Sequence, residues 1–186
     1  NLKVASAAIS ALGRIANASA AGVLSTLYKQ SRAELHDEVV DAWMRCAEKM
    51  VAEGAGVGAA RIYSDLLDPS GPERIRIAAL HGLASAQGVG ALPRILELVN
   101  GEDARMRLVA AECAEMITGE QATRQLAQAL DKAPPANQVL LLEVLAKRRD
   151  KAAIPAVTAK VADADADVRF AALETLKCIG DGSVVE

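Results

Sequence analysis

The sequence predicts an all-helical protein assembled from stacked copies of one helix pair. Three observations carry that reading. A short motif recurs along the chain and is fullest as Val168-Arg169-Phe170-Ala171-Ala172-Leu173-Glu174-Thr175-Leu176. With Leu176 as anchor, its equivalents are Leu12, Ala47, Leu83, Ala114 and Leu145, at spacings of 35, 36, 31, 31 and 31 residues. A fixed period of roughly 20–50 residues marks supersecondary units that bury their apolar faces against one another. The composition agrees: 52% of the 186 residues are hydrophobic, and Tyr28, Trp43, Tyr63 and Phe170 are the only Phe, Tyr or Trp among them. The bulk is therefore Ala, Leu, Val and Ile, and no stretch alternates with the period of a strand.

Each unit reads as two helices. The motif lies on the second, where 168, 171, 172, 173, 176 and 179 form a broad apolar stripe at helical period. Val4, Ile9, Leu12 and Ile15 make the equivalent stripe in the first unit, and Val39, Met44, Ala47 and Met50 in the second. Ile75, Leu80 and Leu83 follow, then Met106, Ala114 and Ile117, then Leu140, Leu141, Leu142 and Leu145. A shorter first helix follows each break. Its apolar pairs are Leu24 with Tyr28, Ile95 with Val99, Leu126 with Leu130, and Val157 with Val161, each an i,i+4 pair on one face. Pro93 and Pro155 fall at the start of this helix, where a missing N–H costs no helical hydrogen bond. Turn chemistry separates the helices at 17–19, 68–72, 100–101, 133–135 and 180–182, and a further first helix is expected to begin at Ser183. Neither end carries the polar cap that a repeat array needs, so the chain reads as one array over 1–186, part of a longer one.

Charge and composition narrow the function classes. A net charge of −3 without a basic stripe argues against nucleic acid. No apolar run approaches the roughly 18 residues of a membrane span, and no targeting or lipidation motif is visible. Cys46 and Cys113 each precede an anchor but stand two repeats apart, beyond disulfide reach, so they read as small buried hydrophobes. That usage suits a reducing, cytoplasmic setting.

The pattern Asp-Val-Arg-x-Ala-Ala-Leu at 167–173, preceded by Ala153-Ile154-Pro155, resembles HEAT repeats of the short bacterial, phycobilisome-lyase type. Ala91-Leu92-Pro93 repeats the second element, and Arg76, Arg107 and Arg169 share one column. The resemblance covers the whole chain, most clearly in the third, fourth and sixth units. It implies a right-handed α-solenoid of about five to six antiparallel helix pairs, whose second helices line the concave face and bind proteins. Its catalytic relatives fit poorly. The His-Glu pairs of deoxyhypusine-hydroxylase-like proteins are missing, since His36 precedes Asp37 and His81 precedes Gly82. The basic, aromatic groove of HEAT-like DNA glycosylases has no counterpart, and nothing marks the chromophore pocket of a bilin lyase.

Several residues invite a chemical reading. Gly54-Ala55-Gly56-Val57-Gly58 follows no strand and lacks the Lys-Ser/Thr of a phosphate loop, so it reads as a flexible connection in a lengthened unit, or as small residues making room for Trp43. Trp43 takes a column otherwise held by Ala8, Ala79, Ala110, Leu141 and Ala172, as a core filler ahead of a ligand anchor. Arg76, Arg107 and Arg169 read as a structural ladder bonding acidic or carbonyl groups of a neighbouring unit, with Asp103, Asp165 and Asp167 nearby; anion binding is the alternative. Asp163, Asp165 and Asp167 lack the Gly and Glu of a calcium loop and read as helix caps.

The most informative column is one that a solvated helix would fill with charge. It holds Ile77, Leu108, Val139 and Phe170, after Ser6 and Asp41 in the first two units. Beside it run His81, Glu112, Glu143 and Glu174. An apolar strip with an acidic border suits a protein or peptide partner that is basic or amphipathic; burial of the strip by helix tilt is the competing reading. The sequence thus points to a non-enzymatic interaction scaffold without cofactor or metal, free to oligomerise through uncapped ends. An accessory, bilin-lyase-like factor and a purely structural spacer are the alternatives.

Overall fold

The computed structural model describes residues 1–30 and 33–180; the turn expected at 181–182 and the helix start at Ser183 lie outside them. All regular structure in the described residues is helical. The helices cluster into two compact units, Asn1–Gln87 and Gly88–Glu186.

The first unit holds α1 (Leu2–Ile15), α2 (Ala18–Gln30), α3 (Ala33–Ala52), α4 (Gly56–Leu66) and α5 (Glu73–Gln87). Here α1 packs on α3 and α3 on α5, while α2 touches α3 and α4. Local chemistry sets the boundaries. Asn17 opens α2 by accepting from Ala20 N–H at 2.8 Å, which satisfies a donor the helix itself leaves free. Asp68 folds the next turn by accepting from the N–H and hydroxyl of Ser70. One boundary differs from expectation. The glycine-rich segment is a connection only at Gly54 and Ala55, with Gly54 at φ 80°, and Gly56 already begins α4.

The second unit holds α6 (Leu92–Val99), α7 (Ala104–Met116), α8 (Glu120–Ala129), α9 (Pro135–Arg148), α10 (Ile154–Ala159) and α11 (Ala166–Ile179). Short 3-10 turns at Leu130–Lys132, Lys151–Ala153 and Lys160–Ala162 extend or introduce its first helices. First helices touch in the order α6, α8, α10 and second helices in the order α7, α9, α11, so the unit consists of two rows. Pro93 and Pro155 sit in the first turns of α6 and α10. Asp103 and Asp165 cap α7 and α11 through paired backbone N–H groups, so the acidic run at 163–167 starts a helix.

The anchor column occupies the core. Ala47, Leu83, Ala114, Leu145 and Leu176 are buried, and Leu12 is half-buried. The column one residue earlier is filled by Cys46, Gly82, Cys113, Val144 and Thr175, small groups where helices approach closely. Trp43 is 1% exposed and packs on the Tyr28 ring at 5.0 Å. Its Nε1–H is buried without an acceptor.

Candidate functional site

In the second unit α9 and α11 run side by side with a cleft of about 580 Å³ between them. Its α9 wall is Ala136, Val139, Glu143 and Ala146; its α11 wall includes Asp167, Phe170, Ala171, Glu174 and Cys178. The spacings 136, 139, 143, 146 and 167, 170/171, 174, 178 each trace one face of a helix, which is why two helices suffice to build the site. Alanines keep the floor open, and Phe170 stands 66% exposed beside half-buried Val139. Four of the residues singled out from the sequence thus meet in one place: Val139, Phe170, Glu143 and Glu174.

Leu108 and Glu112 continue the same columns on α7, and both are exposed. Met116 joins them at 64% exposure, outside the strip column and so without a repeat signal to mark it. Ile77 and His81 belong to α5 in the first unit, where both are half-buried.

Carboxylates dominate the electrostatics of this face. Lys147 donates to Glu115, and that bond, with the nearby charges of Glu143 and Glu112, raises its pKa. Glu174 accepts from Lys177 at 2.8 and 3.0 Å, and the bond raises the lysine pKa in turn. Glu112, Glu143 and Asp167 add negative charge beyond these two pairs. Such a border attracts cations over a range set by salt.

Two residues of the arginine column, Arg107 and Arg169, have a local role. Arg107 donates to the Gly101 carbonyl at 2.9 Å, and Arg169 to the carbonyls of Asp163 and Ala164 at 2.9 Å each. These carbonyls lie in the turn that leads into the arginine's own helix, so each guanidinium braces one helix pair. Arg148, which no repeat column marks, adds a bond between consecutive pairs beside those of Lys147 with Glu115 and of Thr175 with Leu142. Arg148 donates to Ala114 at 3.0 Å, to Ile117, and to Gly119 at 3.1 Å, closing the C-terminal end of α7. Its Nε donates to the Thr123 hydroxyl at 3.1 Å, which in turn donates to the Asp150 carboxylate at 2.8 Å.

Little in the described residues offers covalent or metal chemistry. Burial pushes the Cys113 thiol up to about 12 and raises that of Cys46, so neither is a nucleophile at neutral pH. Cys178 is exposed on the cleft wall. No group of three His, Cys, Asp or Glu gathers as a metal site would, and no helix is long and apolar enough to cross a membrane, among the described residues. A smaller hollow of about 330 Å³ in the first unit is lined by Gly22, Trp43, Arg61 and Asp65. The indole nitrogen is closed off from solvent, so an acceptor placed in that hollow does not reach it.

No protein-family model matches the sequence, and no curated protein matches it.

Proposed function

We propose that this protein is a non-enzymatic interaction module, a HEAT-like α-solenoid whose second helices receive a basic, amphipathic segment of a partner protein. The observation that carries the reading is the placement of exposed bulk in the Gly88–Glu186 unit. Every large exposed hydrophobic described there lies on a second helix: Leu108 and Met116 on α7, Phe170 and Leu173 on α11. The first helices α6, α8 and α10 carry none. Two rows of like helices, each touching the next of its kind, support the solenoid reading.

Covering apolar side chains on this face gains roughly 25 cal/mol per Å² before the costs of association are subtracted. The carboxylates at 112, 143, 167 and 174 steer a cationic segment and make binding weaken with salt. A synthetic helical peptide with leucines on one face and lysines on the other is the probe. Anisotropy titration should show binding that Phe170→Asp weakens by about tenfold or more, a loss of about 1.4 kcal/mol. Phe170 is exposed, so helicity and melting temperature stay unchanged. Maleimide labelling of Cys178 should slow when the peptide is bound, because that thiol lines the cleft. Equal binding of a glutamate version of the peptide, or a Phe170→Asp variant that binds normally, would remove the basis of the proposal.

A further inference from the structure

One pair of places is filled differently at successive steps along the second helices. Between α7 and α9 the ion pair of Glu115 with Lys147 spans the space. Glu115 stands one residue past its anchor and Lys147 two past its own. One step on, the same places hold Ala146 and Cys178, and both line the cleft between α9 and α11. A methyl group and a short thiol form no such bridge, which leaves this space open. Every residue lining it belongs to α9 or α11.

The cleft also has a direction. The Thr123 hydroxyl near the start of α8 meets Asp150, which caps the 3-10 turn leading into α10. Asp131, just past the end of α8, meets Lys160, just past the end of α10. Like ends adjoin, so α8 and α10 are parallel, and α9 and α11, which return from them through short turns, are parallel as well. At the N-terminal edge of the cleft stands the exposed carboxylate of Asp167, with Glu143 and Glu174 farther along. Lys147 and Lys177 lie in the last turns of α9 and α11, each 63% exposed at the opposite edge.

We propose that the cleft seats a single helix of the partner, laid lengthwise between α9 and α11 and antiparallel to both, with its basic residues in its C-terminal half. The inference rests on the interaction-module reading and specifies the partner's shape and direction. The walls call for a helix. Their contact residues recur every three or four positions, and a helix presents side chains at the same pitch, so ridges enter grooves. An extended segment would press its N–H and C=O groups onto apolar side chains, because α9 and α11 already bond their own backbones. Charge sets the direction. The basic half lies over Asp167 and reaches toward Glu143 and Glu174, while an acidic or neutral N-terminal half approaches Lys147 and Lys177. Antiparallel placement sets opposite ends of the helix dipoles side by side, and basic groups near a helix C-terminus favour its own dipole. From Asp167 to Cys178 the seat runs roughly 17 Å at 1.5 Å per residue, about three turns of the partner.

Two synthetic peptides of one composition test this on the full chain. Both carry leucines along one face. The first has lysines in its C-terminal half and glutamates in its N-terminal half, and the second exchanges them. By anisotropy the first should bind about tenfold or more tightly than the second. With a pyridyl disulfide on its first residue it should trap Cys178, and with that group on its last residue it should not. Buried Cys46 and Cys113 take no part. Ala146→Glu combined with Cys178→Lys places the α7–α9 bridge between α9 and α11 and should weaken binding by about tenfold or more. Ala146 is half-buried and Cys178 exposed, so the melting temperature should not fall; if that variant fails to fold, the trapping result decides. Binding of neither peptide would end the interaction-module reading and this inference with it. Binding that Phe170→Asp abolishes, yet that ignores charge order, traps Cys178 from the last residue or survives the double variant, would keep the module and overturn the lengthwise, antiparallel seat.

Discussion

The two units fill the same repeat columns but join their helices by different means. In Asn1–Gln87 the neighbours meet mainly through missing atoms, with a polar bond beside them from Lys49 Nζ of α3 to the Arg14 carbonyl of α1 at 2.8 Å. A Cβ added at Gly13 of α1 would lie 2.7 Å from the Ala42 carbonyl oxygen of α3, and one at Gly82 of α5 would enter the Tyr63 ring of α4 at 2.3 Å. In Gly88–Glu186 the neighbours meet through added polar groups. Arg148 of α9 reaches the last carbonyls of α7, and Thr175 of α11 donates to Leu142 of α9 at 3.1 Å. Lys160 bridges Asp131 and Asp163 at 3.0 and 3.4 Å. Glycine in a helix interior costs about 1 kcal/mol in chain entropy, recovered only if the close contact is dense. A buried hydrogen bond returns a similar net amount but constrains direction. One repeat register thus tolerates two kinds of joint, because the anchor residues supply the common apolar core.

That difference can be measured unit by unit, since the single tryptophan, Trp43, reports on the first and buried Cys113 on the second. The largest effect is expected at the shared anchors. Leu83→Ala and Leu145→Ala should each cost about 2–5 kcal/mol, because both empty a fully packed site. In denaturant titrations the first should shift Trp43 emission and the second the labelling of Cys113. If neither variant loses stability, the register itself is wrong.

Next comes the polar joint. Arg148→Met keeps the length of the side chain but strands the carbonyls of Ala114, Ile117 and Gly119, at a cost of about 1.5–3 kcal/mol. Exposure of Cys113 should rise more than the change at Trp43, and equal shifts in both probes would show that the joint is not confined to its unit.

The glycine joint predicts opposite signs at two positions of one unit. Gly13→Ala presses on backbone that cannot swing aside and should destabilise by about 1–3 kcal/mol. Gly22, in α2, has nothing within 4 Å of an added Cβ, so Gly22→Ala should stabilise by about 0.5–1 kcal/mol through the unfolded chain. Thermal melts followed at Trp43 decide the matter; two changes of the same sign would dissolve the contrast.

The smallest effect concerns pH. The Ala152 N–H and the Thr123 hydroxyl, with Arg148 and Arg124 nearby, hold the Asp150 carboxyl below its ordinary range. A folded value below the unfolded one, near about 3.9, means stability that is present above about pH 4 and lost as pH falls through the lowered value. Asp150→Asn should therefore flatten the acid limb of the second unit and leave that of the first alone. Melting curves at neutral pH and near pH 3 test it; an unchanged acid limb would detach Asp150 from the joint.

What the sequence by itself determined is whatever a single helix decides alone. The helical period placed the anchors, first-turn prolines at 93 and 155 opened two helices, and Asp165 capped a third. These signals work within one or two turns of the chain, so no neighbour is needed to read them. The columns at 139/143 and 170/174 were legible for the same reason, since a helix face is a spacing. Only the tertiary structure decided what happens between helices. It clustered the helices into two compact units, began α4 at Gly56, and left Leu12 half-buried. It turned Arg107 and Arg169 back onto their own turns and gave an inter-pair bond to Arg148, two helices away from the carbonyls it closes. It also opened a cleft between α9 and α11 where a column of side chains had been only a pattern. A flexible guanidinium reaches any of several carbonyls, and which one it meets depends on interhelical distance and angle, quantities that residue spacing along one chain does not contain.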